Sequence, residues 1–178
     1  MSYSLTREVL LLTFTLAGIS LKLADNYGAS ARGYLSAAVS AVCMGFLIAD
    51  NSSSSSIVLG IMIGVTLAGK LDQLNLIFGL CATLISAAVL GFSVPNLPLL
   101  AIVLVAALLD EVGHEKVKSP GILATFFHFR MVLKAVVASL ALLMWIDLFH
   151  AVGFFCFDVA YDATNIVWPF FARDVEEG

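Results

Sequence analysis

The chain is predicted to be all-α, a polytopic integral membrane bundle of six or seven transmembrane helices, and three observations carry that expectation. Of 178 residues, 61% are hydrophobic and only 12% charged, against roughly 45–50% and about 25% in soluble domains. Mean hydropathy is +1.02. The apolar residues fall in runs near the ~20 that cross a hydrocarbon core ~30 Å thick, and the breaks between runs hold Gly, Pro, Ser and charged residues. A disordered chain would hold far fewer apolar residues. No basic patch suggests nucleic acid as a partner. The implied partner is the lipid bilayer, and so small a bundle is compatible with a homo-oligomer.

The first apolar run predicts a helix over 5–24. Lys22 and Asp25 stand between it and the small residues Gly28, Ala29 and Ser30, the wrong flank for a cleaved signal peptide, so it is read as a first span. A second helix is expected over 33–49. The polar stretch 50–56 contains five serines and is expected to be an exposed loop whose Ser56 caps the next helix, 57–71. A fourth helix, 74–94, ends before Pro95 and Pro98, and a fifth covers 97–112. A charged turn with Pro120 precedes the sixth, 122–146. Asp147 and His150 separate that from the seventh, 148–171, with Trp145 and Trp168 at positions suited to a membrane interface. Residues 1–172 form one transmembrane domain, and 173–178 a short acidic cytoplasmic tail.

Lys and Arg set the expected orientation. Lys22, Arg32, Lys70, Lys116 and Lys118 flank the loops after the first, third and fifth helices, whereas the opposite loops carry only Arg7. Cytoplasmic loops are the ones enriched in Lys and Arg. The protein is therefore expected as a multi-pass protein of the cell membrane, with the N-terminus outside and that first set of loops in the cytoplasm.

Two groups of polar residues break the apolar pattern. Arg130 and Lys134 in the sixth segment, and Asp158 and Asp162 in the seventh, have the i,i+4 spacing that places each pair on one helix face. Counted at ~1.5 Å per residue, depths in antiparallel helices match Lys134 with Asp158 and Arg130 with Asp162. Charges at that depth are expensive and mark relays or substrate pathways, though a static double ion pair between helices has the same pattern. His128 is placed to link this network to the cytoplasmic end.

The second group lies at the cytoplasmic ends of the first, third and fifth helices. Asp25, Asp72, Asp110 and Glu111, with His114, are candidates to hold a divalent cation such as Mg²⁺, because hard ions take oxygen ligands. Glu111-x-x-His114 also places a carboxylate and an imidazole on one helix face. Simple pairing with nearby Lys and Arg is the competing explanation. Cys43, Cys81 and Cys156 lack metal-ligand or redox spacing.

No phosphate-binding loop, nucleophile elbow or zinc-protease motif is present. The first expectation is a small proton- or cation-linked transporter or channel-like protein built on Arg130, Lys134, Asp158, Asp162 and His128. The alternatives are a membrane-embedded enzyme acting on a lipid headgroup with a metal at the cytoplasmic face, and a non-catalytic scaffold or subunit. Whether the chain is an enzyme stays open on sequence alone.

Overall fold

The computed structural model describes residues 6–117 and 121–176, apart from the side chains of Ala124, His128 and residues 171–176. It is all-α, 84% helical, with no strand among the described residues. The helices are α1 Arg7–Tyr27, α2 Ala31–Asp50, α3 Ser52–Leu67, α4 Leu74–Leu90, α5 Leu97–Lys116, α6 Ile122–His128, α7 Met131–Leu142 and α8 Leu148–Glu176. Two of them, α2 and α5, are long and apolar enough to cross a membrane, while α3, α4 and α7 are apolar but shorter. Helices α1 and α8 have 21 and 29 residues and carry charges in their interiors. The acidic stretch expected as a tail continues α8 as far as Glu176.

Helix starts follow from side-chain oxygens that accept the amides a first turn leaves unpaired. Ser30 Oγ accepts from Gly33 N at 3.1 Å, and Asn96 Oδ1 from Leu99 N at 3.2 Å. The serine run departs from expectation. Ser52–Ser56 form the opening turns of α3 rather than a loop, and Asn51, not Ser56, is the cap, its Oδ1 accepting from Ser53 N and Ser54 N at 2.9 and 3.0 Å. Ser54, Ser55 and Ser56 are fully buried. Serine has only middling helix propensity, but here the hydroxyls bind backbone across the fold. Ser55 Oγ donates to Ser93 O at 2.9 Å, and Ser56 Oγ accepts from Asn96 N at 2.8 Å.

The segment expected as one helix over 122–146 is also corrected: it breaks between α6 and α7. Arg130 occupies the left-handed region at φ 51°, ψ 45°, which opens the amides at the start of α7. Asp110 of α5 closes them again, its carboxylate accepting from Val132 N at 3.1 Å and Leu133 N at 2.7 Å. A buried backbone amide needs such a partner.

Contacts between connections define two ends of the bundle. At the first, Asn75 Nδ2 donates to Ala24 O at 2.6 Å and Lys70 pairs with Glu115 at 2.7 Å. At the second, Ser93 N donates to Ile48 O at 3.3 Å, and Arg7 lies 4.2 Å above the Phe149 ring. Successive helices α1 to α5 therefore alternate in direction, α6 and α7 together return to the second end, and α8 runs back toward the first.

The most extensive packing joins α2 with α4, α1 with α8 and α3 with α5, pairs that run the same way, together with the antiparallel pair α1 and α2. Small residues make this possible, as in close helix pairs within bilayers. Gly60 and Gly64, one turn apart on α3, lie against Val103 and Ala107 of α5, where a Cβ would come within 3.0 Å of side-chain carbon. Along α2, Gly33, Ala37, Ala41 and Gly45 form a four-residue series of small residues, and Gly45 meets Ser86 of α4. Gly18 of α1 similarly meets the backbone of Phe157 on α8.

Candidate functional site

A cavity of about 530 Å³ occupies the half of the bundle nearer Asp25. Its walls come from α1, α2, α3, α4, α5 and α8, with residues 69–73 of the α3–α4 connection and Phe127 and Arg130 from the α6–α7 break. The unequal helix pairing creates this space. Helices α3 and α4, although consecutive, do not pack on each other, and α2 lies behind both. Met44, Ile61, Met62 and Phe157 form the inner limit, shared with an apolar void of about 20 Å³ beyond.

The two polar groups distinguished in the sequence meet at this one cavity. Six carboxylates line it, Asp25, Asp72, Asp110, Glu111, Glu115 and Asp162, against three permanent cations, Lys22, Lys70 and Arg130. Most of the acids are already engaged. Lys22 Nζ contacts Asp25 Oδ2 at 2.6 Å, Lys70 contacts Glu115 at 2.7 Å, and Arg130 contacts Glu111 at 2.8 Å. Asp110 is taken up by the α7 amides. Two lining carboxylates stand apart. Asp162 has 38% of its side chain exposed and lies 3.7 Å from Lys134 Nζ, while Asp72 is exposed and has no ion-pair partner among the described residues.

Lys134 connects the cavity to the deeper charge. Its ammonium is 2.7 Å from Asp158 Oδ2, and both side chains are largely covered, at 18% and 7% exposure. The expected contact of Lys134 with Asp158 is therefore present. The expected contact of Arg130 with Asp162 is not: Arg130 turns to Glu111, because the left-handed break reorients residue 130 relative to a continuous helix. Asp162 instead joins Asp158 around Lys134, giving one ammonium between two carboxylates. The side chain of His128 lies outside the described residues.

Tyr161 sits at the centre of the polar wall. Lys22 Nζ and Arg130 Cζ lie 5.1 and 5.2 Å from its ring centroid, and its hydroxyl donates to Asp25 Oδ2 at 3.5 Å, the long limit for such a bond. Cations near an aromatic face are stabilised by the ring quadrupole. Tyr161 thus joins α1 and the α6–α7 break into one polar surface.

Asp25, Asp72, Asp110, Glu111 and His114 all line the cavity, but their engaged side chains are turned to different partners. No group of three or more His, Cys, Asp or Glu side chains suited to a metal ion occurs among the described residues. The reason is visible in the pairing just given: Asp110 and Glu111 point to the start of α7 and to Arg130, and Asp25 to Lys22.

A polar cluster at the other end has no counterpart in the sequence reading. His150 Nε2 lies 2.6 Å from Asn51 Nδ2 and 3.6 Å from Asp50 Oδ2, and its Nδ1 is 3.8 Å from Asp147 Oδ1. His150 and Asp50 are both buried. The signal available was the Asp50-Asn51 step at the end of one apolar run, followed by serines too numerous for a short loop. No protein-family model, curated protein or solved structure matches this chain.

Proposed function

We propose that the protein is a small membrane transporter, linked to a proton or cation, whose solute occupies the central cavity. The observation that supports this reading most directly is the cavity's charge: six carboxylates against three cations, with Asp72 and Asp162 the least engaged. A partly dehydrated cavity with excess negative charge concentrates cations and excludes anions. Asp162 is the principal contact for the cation, and the Lys134–Asp158 pair behind it responds to the cation's arrival or to a proton's. Asp25 and Asp72 shape the mouth.

In this reading the bundle crosses the bilayer with α1 to α5, the joined α6–α7 and α8 as seven membrane segments. Helix α3 has 16 residues and α4 has 17, so the bilayer thins locally or their flanking turns enter it. The Asp25 end, with its excess of Lys and Arg, faces the cytoplasm. The broken α6–α7 segment fits the same function, since interrupted helices at membrane depth occur where backbone lines a cavity rather than lipid. The lipid-headgroup enzyme is less well supported, because its metal would require Asp110 or Glu111 to abandon the partners they now have.

The test is flux in vesicles containing the purified chain. Proton entry is followed with an internal pH dye under a potassium diffusion potential, and labelled methylammonium uptake is measured alongside. Wild-type protein should exceed empty vesicles in at least one assay, and Asp162→Asn should remove most of that excess. Flux equal to that of empty vesicles for both protons and methylammonium would refute the reading.

A further inference from the structure

The cluster around His150 has the marks of something closed. Its core comes from three elements, the end of α2, the start of α3 and the first turn of α8, and is deeply buried: Asp50 is 6% exposed, His150 9%, and Ser54 not at all, while Asp147 on its outer side, 3.8 Å from His150 Nδ1, is exposed. Two polar atoms within it, Ser54 Oγ and His150 Nδ1, have no hydrogen-bond partner. Buried polar atoms are nearly always paired. A cluster that is polar, covered and incompletely paired is one whose atoms are better served when water reaches them.

Between this cluster and the cavity lies an apolar block. Phe14, Leu47, Phe154 and Phe157 are each buried and surround the 20 Å³ void, whose lining contains no polar residue. Water needs two to four polar partners to occupy such a space, so the block is dry. The cavity ends on one side of it and the His150 cluster begins on the other.

Helix α8 spans all three regions on a single face. His150, Phe154, Asp158 and Asp162 recur at four-residue intervals, the spacing that aligns side chains along a helix. They form in turn the cluster, the block, the buried ion pair and the cavity contact. Helix α8 leans on α1 and meets α3 and α7 at few points; apart from the apolar packing of Ala151 and Phe154 against Ile57, Leu133 and Val137, its polar ties to those elements are His150 at one end and Asp158 and Asp162 further along.

Resting on the transport reading, we propose that the His150 cluster is the second access of the same pathway, closed in this conformation. The Asp50–Asn51–His150 contact is its latch, and Phe14, Leu47, Phe154 and Phe157 are the barrier. Opening parts His150 from Asp50 and Asn51, admits water and a small cation to Ser54, and carries α8 so that the cavity at the Asp25 end closes.

The test uses the full chain with Cys43, Cys81 and Cys156 replaced by alanine, held in nanodiscs of phosphatidylcholine and phosphatidylglycerol so that both faces meet solvent. One reporter cysteine is introduced at a time, Ser54→Cys at the latch or Val65→Cys on the cavity wall. Each is reacted with the water-soluble, cationic trimethylammonium-ethyl methanethiosulfonate, and folding is checked by circular dichroism. With the latch intact, Val65→Cys should react readily and Ser54→Cys slowly. Adding His150→Ala, or the near-isosteric Asp50→Asn should the first not fold, is expected to raise the Ser54→Cys rate about tenfold, the shift one lost buried hydrogen bond produces. The Val65→Cys rate should fall several-fold at the same time. An unchanged Ser54→Cys rate, or a rise without the reciprocal fall, would mean a static cap and overturn the inference while leaving transport through the cavity standing. If Val65→Cys reacts in no variant, the cavity is not an access at all, and the transport reading fails together with this one.

Discussion

Replacing Asp110 with alanine is expected to destabilise the fold more than its position in an apolar helix suggests. The carboxylate is 1% exposed and accepts from Val132 N at 3.1 Å and Leu133 N at 2.7 Å. Those amides begin α7 after the left-handed turn at Arg130, and no residue of their own helix can take them. Alanine leaves both without an acceptor, at roughly 1–3 kcal/mol each. Removing a buried charge relieves part of its desolvation cost, so the net loss should be about 2–4 kcal/mol. Asparagine keeps an oxygen in place and should lose no more than about half of that. The assay is reversible unfolding of the purified protein by sodium dodecyl sulfate in mixed micelles, alongside hydrogen exchange of the peptide covering 131–135. Alanine should speed exchange there well before it affects α2. A loss below about 0.5 kcal/mol, with exchange over 131–135 unaltered, would refute the claim that Asp110 holds the break.

Further consequences can be checked in the same system. Lys134→Met leaves Asp158 buried without its cation and should cost about 3–5 kcal/mol, whereas Lys134→Met with Asp158→Leu should recover most of that loss; equal losses for the single and double variants would disprove the pairing. Gly64→Leu should separate α3 from α5 and lower stability by at least about 1–3 kcal/mol, while Gly121→Ala, where a Cβ meets nothing within 4 Å, should leave the unfolding curve unchanged. Cys81 is exposed halfway along α4. In intact vesicles it should resist a water-soluble maleimide and react only after denaturation, and rapid labelling would count against α4 lying in the bilayer.

The sequence carried the helical class because hydrophobic runs and their Gly, Pro and charged breaks are local signals. It located most helix starts and ends to within about four residues; the serine start of α3, the break at Arg130 and the end of α8, which runs on to Glu176, lie outside that. Nothing local in 122–146 distinguishes a continuous helix from a broken one, since the acceptor that stabilises the break, Asp110, lies 22 residues before Val132. The serines at 52–56 have the composition of a loop, and only their bonds to Ser93 and Asn96 make them a buried helix start. Depth along a straight helix correctly paired Lys134 with Asp158, which lie beyond the break. It failed for Arg130, which is the break. The carboxylates Asp25, Asp72, Asp110 and Glu111 do line one cavity, but whether each finds a cation, an amide or neither depends on side-chain direction, which residue spacing does not encode.

The union of α1 with α8 bears on how the molecule comes into being. A chain is synthesised from its N-terminus, and segments that emerge first can fold first. Here α1 emerges before one of its two main partners, because Gly18 and Phe14 await Phe157 and Gly153 of α8, most of a chain length later. Until then one flank of α1 lacks its native cover, and Lys134 waits for Asp158. Helix α8, made after the other seven described helices, therefore supplies both the second flank of α1 and the partner of Lys134, and docking of that segment should govern how those contacts mature.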